Sequence, residues 1–246
     1  MSMPFYVSPE QVMKDRADYA RKGIARGRSL VALEYADGIA LVAENPSGTL
    51  HKISEIYDRI AFAGVGKYNE FEMLKIAGIR HADVRGYQYS REDVTARALA
   101  NGYAQTLGQV FTHEMKPYEV EILVAQVGEH EGEPNEMFHI LYDGTVFDHQ
   151  EYAVLGGDAD AILGRIGDSF AGGLDVAAAI RAGVAALAGP DRTLPAAELE
   201  VAMLSRGNGR RCFRRLTDAQ VEEQLSADPP AAPDAVDADE GSSPRS

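Results

Sequence analysis

Lys52 lies in a short β-prone segment, HKISEIYDR, with His51 before it and the apolar Ile53 and Ile56 after it. By composition alone such a lysine is a surface cation; it acquires chemistry only where a cleft partly desolvates it opposite an anion such as a carboxylate. Gly64-Val65-Gly66-Lys67 falls at an expected strand-to-helix junction, which offers free backbone N–H groups to a phosphate. A phosphate loop needs Gly where Ala61 stands and Ser or Thr where Tyr68 stands, so the segment reads as a tight turn. Gly167-Asp168-Ser169-Phe170-Ala171 lacks the last glycine of a nucleophile elbow and falls late in an expected helix. Cys212 stands among Arg210, Arg211, Arg214 and Arg215, and nearby cations favour a thiolate. It is expected in mid-strand with no histidine partner motif, and so reads as a structural cysteine. The histidines, His51, His81, His113, His130, His139 and His149, are scattered, without an HExxH pair, so neither a metal nor another cofactor is expected.

The elements that must position these residues belong to a chain of 246 residues, 45% hydrophobic and 25% charged, enough for one substantial core in one large domain. A single cysteine excludes an internal disulfide and a Cys-rich zinc site, and a reducing cytoplasm is the expected compartment. The start, MSMPFYVSPEQ, has no basic n-region, and no run approaches the roughly 18 apolar residues of a membrane span. Lys and Arg number 24 against 38 Asp and Glu; the net charge of −14 repels a phosphate backbone and makes nucleic acid a poor partner.

Ser8, Pro9 and Gln11 predict a capped helix from residue 9 to about Gly23. SLVALEY and IALVA flank Asp37-Gly38, a strong hairpin signal. Short strands are predicted over Thr49 to Ile53 and Ile56 to Ala63, then helices over Tyr68 to Ile79 and, capped by Ser90 and Asp93, over Arg91 to Thr112. Val120 to Val127, Met137 to Tyr142, Thr145 to Phe147 and Tyr152 to Gly156 read as strands, Asp158 to Phe170 and Leu174 to Ala188 as helices. Strands at Glu198 to Ser205 and Arg211 to Leu216 and a short helix capped by Thr217 and Gln220 finish the folded part. Helices in pairs between antiparallel hairpins predict an α+β sandwich: two sheets with a helical layer on each outer side. Residues 1–8 form an arm, 9–225 the folded domain. From 226 to 246 the chain holds five acids, Asp228, Asp234, Asp237, Asp239 and Glu240, against Arg245, and reads as a disordered tail.

Four groups of residues, in this order and spacing, resemble the α-type subunits of the proteasome core particle, actinobacterial kind, over roughly residues 5 to 225. They are Phe5-Tyr6-Val7-Ser8-Pro9; Leu33-Glu34-Tyr35-Ala36-Asp37-Gly38 with Ile39 to Glu44; Lys116-Pro117-Tyr118-Glu119-Val120; and Asp143-Gly144-Thr145 with Gly156-Gly157-Asp158. The G-R-L-x-Q-V-E-Y run of archaeal and eukaryotic relatives is replaced here by Glu10 to Arg16, and Tyr19-Ala20-Arg21 resumes the match.

The resemblance implies the four-layer αββα sandwich of the N-terminal-nucleophile hydrolase fold. It also implies a homo-heptameric α ring stacked on proteasome β subunits in an α7-β7-β7-α7 barrel. The β-type nucleophile is an N-terminal Thr ahead of the first core strand; here that place reads Gly27-Arg28-Ser29, so the chain is expected to be non-catalytic. By the same resemblance Ser2, Met3, Pro4, Phe5, Tyr6, Val7 and Ser8 form a gate over the axial pore. Lys52 would receive the C-terminal carboxylate of a ring-shaped ATPase activator that delivers tagged protein substrates. The alternative is an active amidohydrolase of the same fold, self-processed at an internal Ser29 or Cys212.

Overall fold

Ser8 Oγ accepts from the backbone N of Gln11 at 3.2 Å, and Pro9 fills a first-turn position where no N–H is needed. The helix these residues start, α1, runs Pro9–Ile24, as the sequence predicts. The computed structural model describes residues 8–227 apart from 131 and 171; residues 1–7 of the expected arm and 228–246 of the expected tail lie outside the described residues.

After α1 come β1 (Leu30–Tyr35), β2 (Gly38–Glu44), β3 (Ile53–Tyr57) and β4 (Ile60–Gly66), then α2 (Tyr68–Gln88) and α3 (Ala96–His113). Strands β5 (Val120–Gln126), β6 (Glu136–Ile140), β7 (Val146–His149) and β8 (Tyr152–Leu155) precede α4 (Ala159–Ser169) and α5 (Val176–Ala188). The last elements are β9 (Leu199–Ser205), β10 (Phe213–Arg215) and α6 (Asp218–Ser226). They build two five-stranded sheets, ordered β10-β9-β2-β1-β8 and β3-β4-β5-β6-β7, antiparallel throughout.

The continuous apolar runs follow from burial of both sheet faces. In β1, Leu30 and Ala32 point into the layer between the sheets with Leu41, Leu123 and Met137. Val31 and Leu33 alternate with them and pack on Ile162, Ile180 and Leu187 of α4 and α5. On the far side Phe62, Ile122 and Val124 meet Phe71 and Leu74 of α2 and Leu107 of α3. Three stacked cores make the expected αββα order.

The strand boundaries after β2 correct the sequence reading. Thr49 to Lys52 is a loop, because Asn45 and Ser47 side chains take up its backbone: Asn45 Nδ2 donates to Leu50 O at 2.7 Å and Ser47 Oγ accepts from Leu50 N at 3.0 Å. The single strand predicted over Ile56 to Ala63 is split by a turn at Asp58-Arg59. Helix α2 continues nine residues past Ile79. Two of its glycines, Gly78 and Gly86, leave room for the hydroxyl ends of Tyr103 and Tyr57, so the helix survives residues that would otherwise read as breakers. The Ser90 capping box starts a short 3-10 turn, Arg91–Asp93, and α3 has its own cap, Thr95, accepting from Ala98 N at 3.2 Å. Strand β10 is three residues long, and Cys212 precedes it rather than standing in mid-strand.

Candidate functional site around Lys52

Two carboxylates end up inside the protein at the end of the sandwich where β1 begins. Glu44 closes β2 and Glu200 is the second residue of β9, 5% and 6% exposed. An ionised carboxylate so placed costs several kcal/mol unless every lone pair finds a donor. Glu44 ion-pairs with Arg28, and Arg192 reaches both its oxygens at 3.2 and 3.3 Å. Glu200 takes the backbone N–H groups of Lys52 at 2.8 Å and Ile53 at 3.2 Å, Asn45 Nδ2 at 2.7 Å and the Arg215 guanidinium, with His51 Nδ1 at 3.4 Å.

Lys52 is half-buried at the rim of this network, one residue before β3. Its backbone is held on both sides, the N–H by Glu200 and the C=O by Gly64 N at 3.0 Å. Its Nζ donates to the carbonyl of Arg28 at 2.5 Å. An ammonium has three donors, and Arg28 takes one. Burial pushes Lys52 down to about 8; Glu200 and Glu44 counteract the burial and Arg28 adds to it. Arg28, Ser29, Glu44, Asp158, Arg165 and Arg192 line an adjoining cavity of about 590 Å³. Among the described residues the arrangement presents a partly desolvated cation, with donors beyond the one given to Arg28, beside a polar cleft, a geometry that suits an anion.

Of the other sequence-marked residues, Ser29 lines the adjoining cavity, whereas Cys212 lines a separate one. Ser29 is buried, with its Oγ against Gly156, and its carbonyl accepts from Glu44 N at 3.2 Å. Cys212 is 2% exposed, near the Asp37 end of β1 on the rim of a separate 470 Å³ cavity, and burial pushes its thiol up more than Arg59 pulls it down. That is the opposite of an activated thiolate. Gly66 needs its φ of +109° for close approach to the Glu119 backbone, and Lys67 Nζ lies 3.7 Å from Glu70 and 4.0 Å from Glu119. The GVGK segment is thus a turn braced by its own acids. His139 and His149 lie side by side, ring centroids 5.8 Å apart, a pairing that sequence spacing does not reveal. Among the described residues no three His, Cys, Asp or Glu side chains are grouped to hold a metal, and no helix is long and apolar enough to cross a membrane.

Of the gate residues only Ser8 is described, as the cap of α1. That helix is anchored firmly. Arg16 donates to the carbonyls at the end of α3, Phe111 at 2.7 Å and Glu114 at 2.6 Å, where a cation suits the helix dipole. Lys116 pairs at 2.7 Å with both Glu70 and Glu119 and lies over the Tyr19 ring at 5.5 Å.

Sequence reading missed Glu44, Glu200, Asn45 and Arg215. A usable signal existed for the carboxylates: LEVAMLS and GIALVAE are apolar strands carrying one acid each, and an acid among residues buried on both faces must be paired.

Comparison with known proteins agrees with this fold. The family model "Proteasome subunit" matches residues 24–193. A proteasome subunit alpha of Acidimicrobium ferrooxidans is 60% identical over 229 residues, 93% of this chain and 98% of the relative. That of Thermomonospora curvata is 56% identical over 228 residues, 92% and 99% of the two chains, and that of Saccharopolyspora erythraea 53% identical over 247 residues, 96% of each. With a matched family model over most of the chain and near full-length α-type relatives from actinobacteria, the chain belongs to the proteasome subunit family, as an α-type, non-catalytic subunit.

Proposed function

We propose that this chain forms the homo-heptameric outer ring of a proteasome core particle, gates its axial pore with residues 1–8, and docks a ring-shaped ATPase activator at Lys52. Proteasome β subunits supply the threonine chemistry, unfolded and tagged proteins pass through, and the cytoplasm is the compartment. No nucleic acid, membrane or cofactor takes part. The domain follows as residues 9–225, with 226–246 an acidic extension.

The observation that carries the docking half is the ammonium of Lys52, fixed at its backbone, partly desolvated, and with two donors beyond the one given to Arg28. A carboxylate at the end of a peptide is the ligand that uses both charge and donors. The gating half is supported by how α1 is fastened. With Arg16 and Tyr19 tied to the α3–β5 region and Ser8 capping the first turn, α1 starts from a fixed point at Ser8. Seven copies of Phe5 and Tyr6 converging near one axis would bury aromatic surface against each other and occlude a narrow pore.

The test is a pair of variants in the assembled core. Deleting residues 2–7, which spares the Ser8 cap, is expected to raise hydrolysis of peptides severalfold with no activator present. Lys52→Ala is expected to abolish activator-dependent degradation and leave basal peptide hydrolysis unchanged. A deletion core that admits peptides no faster than the wild type, or a Lys52→Ala core that responds fully to activator, removes the corresponding half of the proposal.

A further inference from the structure

We propose that Glu200 is the positioning residue of the docking site: its buried carboxylate fixes where the Lys52 side chain starts and keeps its ammonium charged. The proposal rests on the reading of Lys52 as the docking cation.

The geometry is a clamp between the two sheets. Glu200 belongs to β9, opposite Ala43 in the first sheet, yet its oxygens accept from the N–H groups of Lys52 and Ile53, where the second sheet begins. Asn45 and Arg215 fill the remaining acceptor positions, and Arg215 also donates to Ile53 O at 2.6 Å. A carboxylate is an acceptor on both oxygens, and every neighbour here is a donor. An amide in its place would turn an NH2 toward one of those donors, so charge and hydrogen-bond pattern are required together.

Charged groups of several elements act on or near the Lys52 ammonium. Glu200 on β9 and Glu44 on β2 favour its protonated form; Arg28, ahead of β1, opposes it. Arg192 after α5 and Arg215 on β10 each neutralise one of the two carboxylates, and His51 lies within ion-pair reach of Glu200. Tyr68 of α2 also feels the Glu200 charge. Against the burial that drives Lys52 toward neutrality, Glu200 is the largest opposing influence. A lysine with its charge removed offers a carboxylate no ion pair, so positioning and charge retention serve the same contact.

The experiment is competitive acetylation of the full-length chain with acetic anhydride between pH 6 and 10, with the Lys52 peptide read by mass. Unprotonated lysine is the reactive form, so the curve reports the Lys52 titration. Glu200→Gln is expected to move the midpoint down by about one pH unit, a tenfold change in ionisation constant. Arg215→Gln, which leaves the Glu200 charge without its partner, is expected to move it up. This second variant keeps the test alive if Glu200→Gln fails to fold. Midpoints unmoved in either folded variant overturn the proposal, since a merely structural brace would not shift a titration. Activator-dependent degradation by the Glu200→Gln core should be weak at pH 7.5 and recover toward wild type at pH 6. If the midpoint moves but degradation matches wild type at every pH, positioning stands and the docking reading of Lys52 is what fails.

Discussion

Docking at Lys52 should take up a proton. The free lysine titrates near 8, because burial disfavours its charge more than Glu200 and Glu44 restore it. A carboxylate bound to Nζ favours the protonated form and raises that value toward the ordinary lysine range. The sign follows. Below about pH 7 the ammonium is already charged and binding changes nothing; around pH 8, where about half the free sites are neutral, each docked tail takes up about half a proton; nearer pH 9 the uptake approaches one. Affinity falls by about tenfold per pH unit once the free site has lost its charge, and a ring with seven equivalent pockets compounds that loss through avidity. Isothermal titration of the activator into the assembled core, in two buffers of different ionisation enthalpy at pH 6.5 and 8, reads the uptake directly. Lys52→Arg is the control, because a guanidinium stays charged over this range. Equal heats in the two buffers at pH 8, or the same uptake in the Lys52→Arg core, would refute the assignment of the titrating group.

Two further outcomes follow from the packing. Gly78→Ala in α2 sets a methyl group against the hydroxyl end of Tyr103, whose own Oη is buried without a partner among the described residues, and should cost on the order of 1–3 kcal/mol, read as a lower urea midpoint at unchanged m-value. Cys212, with its thiol buried and pushed up, should react with a thiol reagent at pH 8 many times more slowly in the folded chain than in urea; equal rates would show that the β10 approach is open.

Much of the fold was legible because its strands are buried on both faces and its helices carry explicit caps. Ser8, Thr217 with Gln220, and the Asp37-Gly38 turn each fix an element boundary to within a residue. Errors gathered where side chains rewrite the backbone. Asn45 and Ser47 consume the hydrogen bonds that a strand from Thr49 would need, and Tyr57 and Tyr103 fill the room left at glycines that periodicity alone treats as stops. The first effect acts within five residues but through side-chain hydrogen bonds that propensity does not count, and the second is not local at all; Tyr103 is twenty-five residues from Gly78.

The site was half legible for the same reason. Lys52 was singled out by a family likeness, not by its neighbours in sequence, which describe an ordinary exposed cation. What changes its chemistry is burial, opposed by Glu200, 148 residues away, and by Glu44, eight residues back across a loop. Both carboxylates lie at strand positions where an acid is tolerated only if the fold supplies donors, and the fold supplies Arg215, Asn45 and two backbone N–H groups to one, Arg28 and Arg192 to the other. The donors come from β10, from the β2–β3 loop and the start of β3, from the residues ahead of β1 and from those after α5, so the carboxylates also hold the sheets and the α5 end together at the place where the lysine emerges. Replacing the pair by apolar residues could preserve that cohesion, since buried ion pairs often contribute little net stability. It would leave Lys52 with burial and Arg28 alone, both of which disfavour its charge. The two desolvated acids at this spot therefore do for the charge on Lys52 what apolar packing could not do, whatever they add to the stability of the domain.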